Sequence, residues 1–319
     1  MEWLAFIAMF AGGLIILGAG GECLVRGAAQ LARQLGVSAL VVGLTIVAFG
    51  TSAPEIAVSL QAAQQGHDDL AVGNVVGSCI MNILIVLAIA ALVRPLRVSR
   101  NVIRTDAPVM LFFIACFMLF AIDEHTIHRW QGIFFVIGLA VYMLYTYNEA
   151  RRQPKIVEQE YEQELRVVPR RRLTNLLAVV IGIAGLVKGA ELIRDGAVGM
   201  ATLLGVSERI IGLTIVALGT SLPELATCIV AARHHQPDIA VGNVIGSNIF
   251  NVLAVIGITA SFFPLDVNPQ VVYLDGPVML GVAVLVIPAL RTGREVSRQD
   301  GAVFLAIFAT YLAWMLYTR

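Results

Sequence analysis

The sequence is short of charge. Only 14% of its 319 residues are Asp, Glu, Lys or Arg, while 58% are hydrophobic. A soluble domain carries about 25% charged residues, so an ordinary globular core does not account for the composition. Basic and acidic residues number 22 each and cancel, so the net charge gives no pointer to nucleic acid. Cysteine is sparse as well. Cys23, Cys79, Cys116 and Cys228 lie in apolar stretches without CxxC spacing, which argues against disulfides or a thiolate metal centre and predicts small buried hydrophobes. The opening Met1-Glu2-Trp3 lacks the basic stretch and cleavage site of a signal peptide, so the first apolar run is expected to stay as a span.

What the chain does have is apolar runs of the length that crosses a bilayer, about 20 residues each. Reading them against their polar breaks predicts an all-α integral membrane protein with ten helices, near 3–25, 37–63, 69–93, 103–122, 127–149, 173–194, 206–232, 238–262, 271–290 and 300–318. The longest polar connection, 150–172, holds Arg151, Arg152, Lys155, Glu158, Glu160, Glu162, Glu164, Arg166, Arg170, Arg171 and Arg172. Short loops rich in Lys and Arg stay in the cytoplasm. With the N-terminus outside, 17 basic residues fall in inside loops and four in outside ones. The expectation is a multi-pass protein of the cell inner (plasma) membrane with both termini outside.

The chain repeats itself. Residues 35–59, LGVSALVVGLTIVAFGTSAPEIAVS, match 204–228 at 16 of 25 positions, and 69–89 match 238–258 at 13 of 21, both at an offset of 169. Two related halves follow, 1–150 and 173–319, joined by the charged linker 151–172. Five spans per half is an odd number, so the second half enters the membrane from the opposite side. Such inverted-topology repeats are built around sites near the bilayer midplane.

Each half carries one polar interruption in an apolar helix, Gly50-Thr51-Ser52-Ala53-Pro54-Glu55 and Gly219-Thr220-Ser221-Leu222-Pro223-Glu224. Proline removes an N–H and clashes with the preceding turn, so both helices should break at the midplane. The break is expected to free carbonyls around Ala48–Thr51 and Ala217–Thr220, and freed carbonyls at membrane depth must line a cavity or find another partner. Glu55 and Glu224 follow on half-helix N-termini. A lone intramembrane Glu is often a protonated structural residue; two at repeated breaks read instead as a functional pair. The next helix of each half places Ser78 with Asn82, and Ser247 with Asn251, four residues apart on one face. Small residues there also let helices pack closely, and both roles are compatible.

The combined set is hard oxygen: two carboxylates, the amides of Asn82 and Asn251, the hydroxyls of Thr51, Ser52, Thr220, Ser221, Ser78 and Ser247, and carbonyls of Ala48 and Ala217. It suits calcium or sodium rather than zinc or copper. Two ionised glutamates balance one divalent charge, whereas an empty site buries two negative charges at high cost. Obligatory exchange follows from that cost.

With these motifs the sequence resembles the calcium/cation antiporter superfamily, close to the prokaryotic sodium/calcium exchangers. The resemblance covers both halves through the paired GTS-x-PE and GNV-x-GS-x-I-x-N segments. It implies ten helices, the second, third, seventh and eighth enclosing the ions and the first and sixth sliding across them. It also implies that Glu55 and Glu224 are shared calcium and sodium ligands, with Thr51 and Thr220 beside them as metal ligands. By the same resemblance Thr51, Ser52, Thr220, Ser221, Ser78 and Ser247 serve mainly sodium sites, carbonyls of Ala48 and Ala217 contribute, and Asn82 and Asn251 are central. Asn251 stands where some members have aspartate. Transported ions, calcium with sodium or protons, and membrane lipid are the expected partners, with no cofactor and no obligatory protein partner. A calcium/proton antiporter is the alternative on the same scaffold. An intramembrane phosphatase would want Arg or Lys beside its carboxylates, and a channel has no use for a barrier to empty-site movement.

Outside the repeats' polar core, Glu22 and Glu191, with Arg26, Lys188, Arg194 and Asp195, are expected to form ion pairs in a structural or interfacial role, with gating of the first and sixth helices as the alternative. Asp69 and Asp238 are expected to cap helices, with attraction of cations to the pore mouth as the alternative; Asp106 and Asp275 are expected to start helices, and His67, His234 and His235 to be solvated.

Overall fold

The computed structural model describes residues 2–152, 172–204 and 217–318. The linker expected over 151–172 therefore falls almost wholly outside the described residues, as does the start of the seventh expected helix. The described chain is nearly all helix. In order it forms α1 (Glu2–Leu35), α2 (Ala39–Thr51), α3 (Ala53–Gln64), α4 (Asp68–Val93), α5 (Val102–Glu124) and α6 (Arg129–Arg152). The second half gives α7 (Arg172–Leu203), α8 (Ala217–Thr220), α9 (Leu222–Arg233), α10 (Pro237–Phe262), α11 (Val271–Arg294) and α12 (Arg298–Thr318).

Among the described residues seven helices are long and apolar enough to cross a membrane, eight if the bent pair α2 and α3 counts as one span. The chain is thus a multi-pass membrane protein. α9 and α12 occupy the places of the seventh and tenth expected helices without being in that count.

Burial sorts the helices. The apolar window of α10 is buried throughout and that of α4 is 83% buried, whereas that of α1 is 22% buried. α4 and α10 are therefore surrounded by protein, and α1 shows most of its surface to the outside. α1 lies along α7 through facing glycines. A Cβ on Gly182 would stand 2.5 Å from the Leu24 nitrogen, and one on Gly189 would stand 2.5 Å from that of Leu17. Only hydrogen fits at these contacts, so the two backbones touch.

The 169-residue offset holds in three dimensions. π-helical turns occur at Asn82–Leu87 and Asn251–Ile256, and again at Val102–Asp106 and Val271–Asp275. Asp106 and Asp275 consequently close a π-turn instead of starting their helices, because each span begins one turn earlier than its Asp-x-Pro sequence suggests. Short strands β1 (Leu96–Arg97), β2 (Thr126–Ile127), β3 (Leu265–Asp266) and β4 (Glu295–Val296) pair across the halves, β1 antiparallel to β4 and β2 antiparallel to β3.

Several expectations need correction. Cys79 and Cys228 are buried as expected, but Cys23 is exposed on α1. His234 is only partly solvated: a third of its side chain is exposed, and its Nε2 meets both oxygens of Glu22 at 2.7 and 2.8 Å, while Glu22 also pairs with Arg26. Asp69 lies inside the first turn of α4, one residue past the helix start, and accepts from Asn268 Nδ2 at 3.4 Å instead of capping. The expected ion pairs Lys188–Glu191 and Arg194–Asp195 are present, each at 3.0 Å on exposed surface.

Candidate ion site at the helix breaks

The break in the first half falls at Ser52 (φ −84°, ψ 0°), and α2 and α3 meet there at 41°. In the second half Ser221 adopts the same conformation (φ −91°, ψ 3°) between α8 and α9. Pro54 and Pro223 then occupy the first turn of the resumed helices, where a missing N–H costs nothing. Glu55 and Glu224 also lie in those first turns, where N–H groups point outward and the helix dipole favours an anion. Both glutamates are 1% exposed. Water does not reach them.

The sequence expectation for the freed carbonyls is only partly met. The Ala48 carbonyl is not free, since it accepts the Ser52 N–H at 2.9 Å and the Thr51 hydroxyl at 3.3 Å. The reason is register: Pro54 takes away the donor that would have served Gly50, four residues back, and leaves the turn at Ala48 closed. In the second half the Ser221 N–H turns to the Leu218 carbonyl at 3.2 Å, and Ala217 opens the short α8.

Tertiary packing brings the two breaks onto the two central helices. Thr51 Oγ1 reaches across to α10, 3.1 Å from Asn243 Oδ1 and 3.5 Å from Ser247 Oγ. Thr220 Oγ1 reaches across to α4, 3.4 Å from Asn74 Oδ1. The Glu224 carboxylate sits among the hydroxyls of Thr51, Ser52 and Ser247, and the two glutamates are close enough to feel each other's charge. Ser78, Asn82, Ser247 and Asn251 are all buried on the faces that the sequence assigns them. Asn82 and Asn251 each begin a π-turn, a widened turn common where helices carry function. Asn251 lies beside Cys79 of the opposite half.

The donor inventory of the site is one-sided. Ser52 Oγ, Glu55 Oε2, Ser78 Oγ, Asn82 Oδ1, Ser221 Oγ, Glu224 Oε2 and both polar atoms of Asn251 are buried without a hydrogen-bond partner. Each such atom costs about 1–3 kcal/mol, and native proteins keep few of them. Nearly all are oxygens, no Lys, Arg or His is among them, and a hard cation satisfies this set. Among the described residues no three of His, Cys, Asp and Glu cluster, so the amides and hydroxyls must supply any shell beyond the two carboxylates. Sequence reasoning missed Asn74 and Asn243. Both belong to the repeated Gly-Asn-Val segments, but their reach into the opposite half is a tertiary fact.

The sodium/calcium exchanger protein family matches the chain twice, over residues 5–148 and 174–317. The chain belongs to that family. It is accordingly a membrane transport protein and not an enzyme. It is similar to the inner membrane protein YrbG of Escherichia coli, 35% identical over 316 residues that span 97% of this chain and 96% of that one. It is also similar to the sodium/calcium exchanger MaX1 of Methanosarcina acetivorans, at 31% identity over 96% of this chain and 97% of that one. Among solved structures, the sodium-calcium exchanger NCX_Mj soaked with sodium and strontium superposes with a TM-score of 0.84. That match has 31% identity and covers 98% of this chain and 99% of that one.

Proposed function

We propose that this family member exchanges calcium for sodium by alternating access at a site shared by Glu55 and Glu224. The observation that carries the reading is the pair of carboxylates, one per half, buried at equivalent helix breaks and surrounded by unpartnered oxygens. Calcium accepts about 6–8 oxygen ligands and bidentate carboxylates. Two carboxylates neutralise it, so the loaded site crosses the low-dielectric region at little electrostatic cost. The empty site leaves two bare charges, each expensive to bury, and does not reorient. Sodium ions on the hydroxyls of Thr51, Ser52, Thr220, Ser221, Ser78 and Ser247, with the same glutamates, discharge the site for the return step. Asn82 and Asn251 stand between the two sets. Carbonyls of Ala48 and Ala217 complete the proposed ligand set, that of Ala48 only if it releases a bond it now makes.

The architecture proposed to carry this out is ten helices in two inverted five-helix halves, 1–150 and 173–319, with the linker 151–172 in the cytoplasm and both termini outside. Strand pairing supports inversion. β1 and β2 bracket α5, so they lie at opposite ends of one span; β4 joins β1 and β3 joins β2. The equivalent strands β1 and β3 therefore sit at opposite ends, as an inverted repeat requires. The proposed location is the cell inner membrane, the place that the name of the Escherichia coli relative gives for that protein.

Purified protein in liposomes tests the reading. Radioactive calcium should enter under an outward sodium gradient, and Glu55→Gln or Glu224→Gln should abolish uptake in protein that still elutes as a folded species. Uptake driven by protons alone would move the function to calcium/proton exchange. Normal uptake in either glutamine variant would sink the site.

A further inference from the structure

Away from the helix breaks, the first half carries a further buried carboxylate with an oxygen to spare. Asp106 is 4% exposed. The Tyr142 hydroxyl donates to its Oδ1 at 3.1 Å, whereas Oδ2 is buried without a hydrogen-bond partner. Asp106 also lines a cavity of about 30 Å³ between the start of α2, the start of α5 and the end of α6. With Oδ1 held by Tyr142, Oδ2 is the oxygen left for that cavity. One water needs about 10–15 Å³, so the space admits a single ion with little solvent around it.

The rest of the lining is rich in oxygen. Asn101, Thr105, Tyr145 and Thr146 line the cavity with Asp106, and Glu149 adds a second carboxylate. The Thr146 hydroxyl donates to the Tyr142 carbonyl at 2.9 Å, and the Thr105 and Tyr145 hydroxyls share one hydrogen bond at 3.4 Å. A hydroxyl has two lone pairs besides its proton, so each can meet a cation without giving up the bond it makes. No Lys, Arg or His is among the described residues that line the cavity. A carboxylate buried with one oxygen unpaired is costly, and a hard cation, which takes oxygen ligands of these kinds, offsets that cost.

The repeat separates this pocket from the scaffold around it. The second half keeps the Asp–Tyr bond, as Asp275 with Tyr311, but not the lining. At the offset of 169, Thr105, Tyr145 and Thr146 become Leu274, Trp314 and Met315. The bond is common to both halves, and the oxygens are added in one. We propose that the cavity beside Asp106 binds a hard cation, sodium or calcium, outside the transport site, and that this ion ties the start of α2 to α5 and α6. Ser38 lines the cavity at the start of α2, and Thr51 lies about 20 Å further along the same helix. The two sites are therefore separate, and the inference does not rest on the two-glutamate reading.

The test is thermal unfolding of the purified full-length protein, with Glu55→Gln and Glu224→Gln both in place so that the helix breaks contribute no charge. Sodium chloride and calcium chloride are titrated in turn, with choline chloride holding the ionic strength constant. A ligand that binds only the folded protein raises its midpoint by mass action, so sodium or calcium should raise it saturably, and choline should not. Asp106→Asn keeps an oxygen for the Tyr142 hydroxyl and removes the charge; it should abolish the rise. Asp275→Asn should leave the rise unchanged. Thr146→Val should increase the half-saturating concentration roughly ten-fold, the scale of one hydrogen bond, and it decides the matter if the Asp106 variant does not fold. A rise that survives Asp106→Asn, one lost equally in Asp275→Asn, or an unchanged half-saturation in Thr146→Val would overturn the proposal. So would the absence of any rise, which would mean that the cavity takes water only. None of these outcomes bears on the two glutamates, which calcium uptake decides.

Discussion

The Tyr311 hydroxyl donates to the Asp275 carboxylate at 2.8 Å, and 169 residues earlier Tyr142 makes the same bond to Asp106 at 3.1 Å. The last helix of each half is thereby pinned to the start of the helix before it. The two bonds differ in setting. Asp106 is 4% exposed and its other oxygen has no hydrogen-bond partner, whereas Asp275 is only half-buried. Removing a partner from a buried group costs more than removing one from a group that water can reach. Tyr142→Phe should therefore lower the thermal midpoint of the purified protein more than Tyr311→Phe. The losses should be about 2–3 and about 1 kcal/mol respectively, with transport retained at temperatures where both are folded. Equal shifts would show that burial at Asp106 is not what matters.

The glycine contact between α1 and α7 makes a second prediction. A methyl group on Gly182 or Gly189 would stand 2.5 Å from a backbone nitrogen of α1, while a Cβ on Gly12 would meet nothing within 4 Å. Backbone atoms cannot swing aside as a side chain does. Gly182→Ala and Gly189→Ala should each cost about 1–3 kcal/mol of stability through overpacking, and should slow uptake if the two helices move together across the site. Gly12→Ala should lie within about 0.5 kcal/mol of the parent. Thermal midpoints and initial rates, taken on the same preparations, check both halves of the claim. A neutral Gly182→Ala would mean that the helices do not touch in the functional protein.

How far the sequence alone reached follows from which interactions are local. Glu55, Glu224 and their breaks were legible because Gly-Thr-Ser-x-Pro-Glu is a local signal, and its recurrence at a constant offset marks the two segments as a pair. The burial of Ser78, Asn82, Ser247 and Asn251 was legible from helical spacing. The state of the Ala48 carbonyl was not, since it depends on where within the motif the backbone turns, and that point is Ser52. Asn74 and Asn243 escaped notice because their partners lie 146 and 192 residues away in sequence. His234 was misjudged for a related reason. It has no counterpart in the first half, so the repeat could not flag it, and its partner Glu22 is 212 residues away.

The paired strands give a direct test of how the halves are oriented. Arg97 lies opposite Glu295, and Thr126 lies opposite Asp266, with the Thr126 hydroxyl 2.9 Å from Asp266 Oδ1. Partners across an antiparallel ladder have Cα atoms about 4.5–5.5 Å apart, within the range a disulfide spans. In a background freed of native cysteines, needed because Cys23 is exposed, Arg97→Cys with Glu295→Cys should cross-link under mild oxidant. Thr126→Cys with Asp266→Cys should do the same. Single variants then report sidedness: a membrane-impermeant maleimide on right-side-out vesicles should label Thr126→Cys at once, and Arg97→Cys only after the vesicles are opened. The reverse pattern would keep the inverted repeat and turn the molecule over, placing the termini inside. Labelling of both from one side would mean that α5 does not cross the membrane, and the inverted arrangement would fall with it.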